Sequence, residues 1–296
     1  MTKAKTYSPL RYPGGKAFLT DFFEAVLQEN GLFDGTYVEP FAGGVGAGIN
    51  LLLRERISRL VINDASYAVY AFWRCVFDQT ANLCERIHSS DCTLATRDYA
   101  KRVVESAQSV RMDELAWAFF FLNRVNRSGL ISAGPIGGRS QEGRYKIDAR
   151  FNRESLCDKI ELIAQYRSRV EICNNDAETL LRCRHWGNAA LLYLDPPYVK
   201  PKGKLYHNGF IGSQHSRLAH YLTSKEAPYY WILTYDNSDE IRDLYKEAEG
   251  LDLDISYSLL NRSRGKEVMF WSRGLRMDDS RCVLRNEASR RVVGAM

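Results

Sequence analysis

The chain has 296 residues, of which 45% are hydrophobic and 26% charged. That supports a substantial buried core, is too long for a minimal recruitment module, and excludes a mainly disordered or collagen-like chain. Basic residues outnumber acidic ones 41 to 36, for a net charge of +5, and 29 of the 41 are Arg. The planar guanidinium makes bidentate contacts to phosphates, carboxylates and base edges, so this balance is compatible with a nucleic-acid partner without requiring one.

The first element in chain order follows a turn-rich loop, Ser8-Pro-Leu-Arg-Tyr-Pro-Gly-Gly-Lys16. Phe18, Leu19, Phe22, Phe23, Val26 and Leu27 then recur at helical spacing, which puts Lys16 at the entrance of a helix. A short strand from Thr36 to Phe41 runs into Ala42-Gly-Gly-Val-Gly-Ala-Gly48, a helix is expected over Ile49 to Arg56, and a second strand, Arg59 to Ile62, ends at Asn63-Asp64. Strand, glycine turn, helix, strand and acid together form a βαβ nucleotide-binding start. Helical periodicity then dominates Tyr67 to Ile87, Arg97 to Val110 and Glu114 to Leu122, with a further helix near Leu156.

Between the last two lies a glycine-rich loop, Asn123 to Arg153, with six Arg and one Lys against Glu142 and Asp148, a local surplus of +5 (7 − 2). Strands return at Arg169 to Cys173, Ala189 to Leu194, Tyr229 to Thr234, Leu253 to Leu259 and Glu267 to Trp271. The expected organisation is one discontinuous α/β domain, 1–66 plus 167–275, interrupted by a helical insertion at 67–166 and followed by a mobile basic tail at 276–296.

Seven scattered cysteines without a C-x-x-C pair read as reduced thiols, and five histidines without zinc spacing predict no metal site. The polar N-terminus and the lack of any run of 18 apolar residues predict no membrane association and a cytoplasmic location.

Two motifs carry chemistry. The glycine turn lacks the third glycine of G-x-G-x-x-G, since Ile49 stands there, and no phosphate-binding G-x-x-x-x-G-K-[ST] exists. Neither a nicotinamide dinucleotide nor a triphosphate is therefore the natural ligand. Glu39 precedes the turn, and Asp64 stands at the next strand end, where an acid accepts hydrogen bonds from ribose hydroxyls. The second motif is Ala190-Leu-Leu-Tyr-Leu-Asp-Pro-Pro-Tyr198, an apolar strand delivering a stiff acidic and aromatic turn to the ligand edge of the sheet. If Asp195 and the carbonyl of Pro196 each accept a hydrogen of an exocyclic amino group, its nitrogen lone pair turns outward, with Tyr198 stacked on the ring. Pro197 stiffens that turn, and transfer from a methyl sulfonium then needs only in-line placement.

Arg11-Tyr-Pro-Gly-Gly-Lys16, Val38-Glu-Pro-Phe-Ala-Gly-Gly44, Asn63-Asp64 and Leu194-Asp-Pro-Pro-Tyr198, in that order, resemble the Dam-type family of adenine-specific DNA methyltransferases over about Ser8 to Gly274. The resemblance implies a Rossmann-like α/β methyltransferase sheet with an inserted helical DNA-recognition domain. It also implies S-adenosyl-L-methionine as donor and adenine N6 in double-stranded DNA as acceptor. Carried onto these positions, Tyr12 and Lys16 line the cofactor site, Glu39, Pro40, Phe41, Ala42 and Gly43 form its floor, and Asp64 holds the ribose. Asn174-Asn-Asp-Ala177 matches the adenine-edge site, with Asp176 accepting from the cofactor's amino group and Ala177 donating its amide. Asp195, Pro196, Pro197 and Tyr198 are the catalytic match.

The segment Phe119 to Leu130 resembles the family's major-groove loop, but Ile131 and Ser132 stand where GATC-reading members carry arginine, so a different target is expected. Arg124, Arg127, Ser132, Arg139 and Arg144 are candidate DNA contacts, mainly to the backbone. Trp117, Phe119, Phe120 and Phe121 are expected in a helical core, and Tyr206 and Phe210 in a loop over an extruded base. Cytosine C5 chemistry is disfavoured because no cysteine follows a proline. Cytosine N4, an RNA adenine and a catalytically silent DNA-binding regulator stand as alternatives. The residues identify no partner endonuclease.

Overall fold

The computed structural model describes residues 6–12, 15–198, 212–227, 230–257, 263–278 and 280. Seven strands form one sheet: β1 (Thr36–Glu39), β2 (Arg59–Asn63), β3 (Val170–Cys173), β4 (Ala190–Leu194), β5 (Trp231–Asp236), β6 (Glu249–Tyr257) and β7 (Ser263–Trp271). Their order is β3-β2-β1-β4-β5-β7-β6, with β7 alone running against its neighbours. This mostly parallel order reverses direction of winding between β1 and β4, the place where open α/β sheets bind ligands beyond their carboxyl ends.

Side-chain alternation sorts the strands onto two apolar layers. Tyr37, Leu60, Ile62, Leu191, Tyr193 and Ile232 face one layer; Val38, Val61, Leu192, Leu194 and Leu233 face the other. The first layer meets α1 (Thr20–Glu29), α2 (Gly46–Leu53) and a run of five helices: α3 (Tyr67–Asp78), α4 (Thr80–Ser89), α5 (Leu94–Glu105), α6 (Met112–Val125) and α7 (Arg153–Ala164). The second meets α8 (Ala177–Arg182), α9 (Gly212–Thr223) and α10 (Asp239–Leu244).

The helices between β2 and β3 share one continuous hydrophobic cluster with a face of the sheet. Phe72 stacks on Phe120 with centroids 5.4 Å apart, and Trp117, Phe119, Phe120 and Phe121 are all buried. Burial of each such side chain contributes roughly 1.5–3 kcal/mol, which fixes α3 and α6 against the sheet as one body.

Three local expectations are corrected. The periodic run over 67–87 is two helices, broken at Gln79, whose φ of −140° leaves the helical region. The helix after the glycine turn starts at Gly46, not Ile49, because Val45 in a left-handed conformation (φ 46°) already turns the chain into it. The start of the basic C-terminal stretch is docked: Arg276 N–H donates to Asn30 Oδ1 (2.8 Å) and Asp278 N–H to Glu29 Oε1 (2.6 Å). Nearly all the rest of that stretch, with Tyr206, His207 and Phe210, lies outside the described residues.

Candidate active site

The glycine turn is held from several sides. Ala42 N–H donates to Asn63 O (2.9 Å), Ser8 Oγ to Gly44 O (2.6 Å), and the buried Trp73 Nε1 to Gly43 O (2.9 Å). Gly43 has φ +45°, and a Cβ there would fall 2.6 Å from the ring of Tyr12. Only glycine lets that ring lie on the turn. Val45, β-branched and left-handed, carries real backbone strain beside this cradle.

Glu39 is tied to the helix that follows the turn. Its Oε1 accepts the N–H of Gly48 (3.0 Å) in the first turn of α2, and only 5% of the residue is exposed. Burial pushes its carboxyl up to about 8, against the lowering effect of the Gly48 bond. Glu39, expected in the floor of the cofactor site, also serves as an internal cap for a helix N-terminus. Pro40 is buried with its carbonyl accepting from Asn63 Nδ2 (2.9 Å), and Phe41 packs on the second apolar layer.

Asp64 stands where the sequence put it, and its orientation is fixed by backbone. Oδ2 accepts from Gly43 N–H (2.9 Å) and Oδ1 from Ser66 N–H (2.8 Å), each oxygen keeping further acceptor capacity. Burial raises its carboxyl above the usual range. Asn63 zips two strand ends, donating to Asn175 O (3.0 Å) and accepting from Asn175 N–H (3.0 Å). Asp176 caps α8 by accepting from Thr179 N–H (3.2 Å); it is exposed, while Ala177 behind it is buried.

Asp195 emerges from the end of β4 into a polar cluster. The ammonium of Lys16 donates to both of its oxygens (2.9 and 2.8 Å), and Thr234 Oγ1, from β5, donates to Oδ1 (2.9 Å). Tyr193 and Thr234 hydroxyls are 2.8 Å apart, which backs the threonine from below. Lys16 Nζ also donates to Tyr198 Oη (3.2 Å), and Tyr198 donates its hydroxyl to Glu267 Oε1. Glu267, on β7, is 1% exposed, with Oε2 3.6 Å from Lys16 Nζ. Burial raises its carboxyl, as burial raises the Tyr198 phenol. Four segments of the chain therefore meet in one polar cluster around Asp195.

Lys16, expected to line the cofactor site, has its ammonium on Asp195. Thr234 and Glu267 were not singled out by sequence. A glutamate on the inward period of an otherwise apolar strand, beside Met269 and Trp271, was the available signal.

The nucleic-acid candidates divide. Arg124 donates its guanidinium to Arg150 O (2.8 and 2.6 Å) and Pro9 O (3.2 Å), so it staples the loop. Burial first, then the guanidiniums of Arg11 and Arg150, push it down to about 10. No carboxylate is within ion-pair distance of these three arginines among the described residues, an arrangement that favours an anion. Arg139 pairs with Asp98 (2.8 Å), Arg144 lies over the Tyr145 ring (5.5 Å), and Arg127 and Ser132 are exposed.

The loop carrying them is built by residues the sequence did not flag. Asn123 bonds both backbone groups of Arg11 (2.8 and 2.8 Å) and Gly129 O (2.9 Å). Asn126 donates to Leu130 O and Ile131 O (3.0 and 2.9 Å) and accepts from the buried Arg97 (2.8 Å). The N-terminal loop that carries Lys16 is thereby tied to the loop after α6.

A family model described as D12 class N6 adenine-specific DNA methyltransferase matches residues 12–259. The chain belongs to that family. Among curated proteins it is 26% identical over 210 residues to the Type II methyltransferase M.MjaIII of Methanocaldococcus jannaschii, covering 66% of this chain and 70% of that protein. The methyltransferase therefore acts on adenine in DNA. Among its described residues no helix is long and apolar enough to cross a membrane, and no group of three or more His, Cys, Asp or Glu is placed to hold a metal ion.

Proposed function

We propose that this methyltransferase takes its methyl group from S-adenosyl-L-methionine and delivers it to N6 of an adenine extruded from duplex DNA. The donor chemistry fits the residues present. Asp64, Asp176 and Asp195 stand at or just beyond the carboxyl ends of β2, β3 and β4, giving acceptor oxygens for hydroxyl, amino and ammonium hydrogens beside a cationic ligand. Gly43 leaves the turn open to the Tyr12 ring, which supplies an apolar wall. When bound, S-adenosyl-L-methionine supplies an electrophilic methyl group on its sulfonium.

The observation that carries the reading is the Asp195 carboxylate, held by Thr234 and Lys16 within reach of the Tyr198 hydroxyl cluster. Its oxygen and the Pro196 carbonyl accept the two amino hydrogens of the target base, which exposes the nitrogen lone pair. Tyr198 stacks on the extruded ring, and flipping costs a few kcal/mol that backbone contacts repay. Arg11, Arg124 and Arg150 provide the uncompensated cationic surface for phosphates, and the exposed Arg127, Ser132 and Arg144 lie on the same loop. We read the region 67–166 as the target-recognition part on a catalytic body formed by 1–66 and 167–275.

The test is incubation with a mixed duplex library and S-adenosyl-L-methionine, followed by mapping of the methylated bases. Methyl groups on adenine N6 in one sequence context are expected, and Asp195→Ala should abolish them while DNA affinity stays within a few fold. Methylation by Asp195→Ala, or on cytosine instead, refutes the reading.

A further inference from the structure

The catalytic carboxylate is occupied before any target arrives. Both oxygens of Asp195 accept from Lys16 Nζ, at 2.9 and 2.8 Å, and Lys16 is only 5% exposed. An amino group that is to donate to Asp195 meets an ammonium already there. Glu267 offers the ammonium a short route away from it. Glu267 Oε2 is 3.6 Å from Lys16 Nζ, is fully buried, and has no hydrogen-bond partner of its own among the described residues. The other oxygen of Glu267 accepts from Tyr198, which keeps the carboxylate pointed at the cluster. A buried carboxylate oxygen left without a donor is costly, and a full bond to Lys16 relieves that cost.

We propose that Glu267 is a positioning residue that receives the Lys16 ammonium when the target base displaces it from Asp195. Lys16 then acts as a placeholder: it keeps Asp195 paired while the pocket is empty and moves about one ångström or more toward Glu267 as the amino group enters. The exchange keeps the ammonium paired throughout. It trades an ammonium–Asp195 bond for an ammonium–Glu267 bond and leaves Asp195 an anionic acceptor. The inference rests on the reading of Asp195 as the group that accepts from the target amine.

The experiment is a single-turnover methyl-transfer cycle on duplex DNA, with dissociation constants for donor and DNA measured alongside. Glu267→Gln keeps an acceptor for the Tyr198 hydroxyl and removes the charge that draws Lys16 away. It is expected to slow transfer at least tenfold with both dissociation constants within twofold of wild type. Lys16→Met removes the placeholder and is expected to keep at least a tenth of the wild-type rate. In that background Glu267→Gln should change the rate by less than twofold. An equal loss in both backgrounds, a Glu267→Gln rate within twofold of wild type, or an inactive Lys16→Met overturns the proposal. Glu267→Asp, which keeps the charge but withdraws it, provides a second variant if Glu267→Gln does not fold, and the same dependence on Lys16 is required of it. If the wild type itself methylates no adenine, the fault is in the proposed function and not in the role of Glu267.

Discussion

Replacing Glu39 by Gln isolates the electrostatics of the glycine turn. The carboxyl is buried under α2, accepting from Gly48 N–H, and it is pushed from the ordinary 4.5 up to about 8. A carboxyl raised in the folded state holds its proton when the unfolded chain has lost its own. Its contribution to stability is therefore complete below pH 4.5 and is lost as pH rises through about 8. Each pH unit in that window costs up to about 1.4 kcal/mol, which caps the whole effect at about 5 kcal/mol. Relaxation around a buried charge brings the expected figure to about 2–4 kcal/mol.

Gln keeps the acceptor for Gly48 and cannot ionise, so its stability lacks this slope. Urea unfolding of both proteins at pH 5.5 and 8.5 gives the comparison, since all other titrating groups are shared. Glu39→Gln should gain about 1.5–3 kcal/mol on the wild type between the two conditions, since the comparison starts about one pH unit inside the window. A difference constant to within about 0.5 kcal/mol, the scatter of such extrapolations, would refute the argument.

Two further substitutions probe the cradle and the acid. Gly43→Ala forces a side chain onto φ +45° and into the Tyr12 ring at 2.6 Å, so affinity for S-adenosyl-L-methionine, read by calorimetry, should fall at least tenfold. Unchanged affinity would remove the turn from the donor site. Thr234→Val deletes the hydroxyl between Tyr193 and Asp195; a lost bond to a charged group is worth about 1.5–3 kcal/mol, so kcat should drop roughly ten- to a hundredfold while DNA affinity holds. A normal kcat would show that Asp195 needs no support from β5.

The sheet was legible because its strands are short apolar runs ending in acids, glycines or prolines, and local pattern is enough to mark such ends. Asp64 and Asp195 could be placed at the ligand edge for that reason. Helix limits were less legible where one residue leaves the helical region, as at Gln79, or where a strained one starts the helix early, as at Val45. The partners of Asp195 were hidden for a different reason. Thr234 and Glu267 lie 39 and 72 residues downstream of it, and nothing local in an apolar strand states which side chain its neighbour presents. Arg124 was read by type alone; the carbonyls that engage it come from Pro9 and Arg150, which no spacing rule connects.

The contact between Lys16 and Glu267 joins residues 251 positions apart, near opposite ends of the chain (267 − 16). Such long closures form late, since their entropy is repaid only when the intervening sheet is in place. During synthesis the N-terminal loop and the glycine turn leave the ribosome long before β7 does. A nascent chain that ends before β7 therefore carries Lys16 and Asp195 without the second carboxylate of the cluster. On the proposed role of Glu267, the full transfer rate arrives only with the last strand of the sheet to be synthesised.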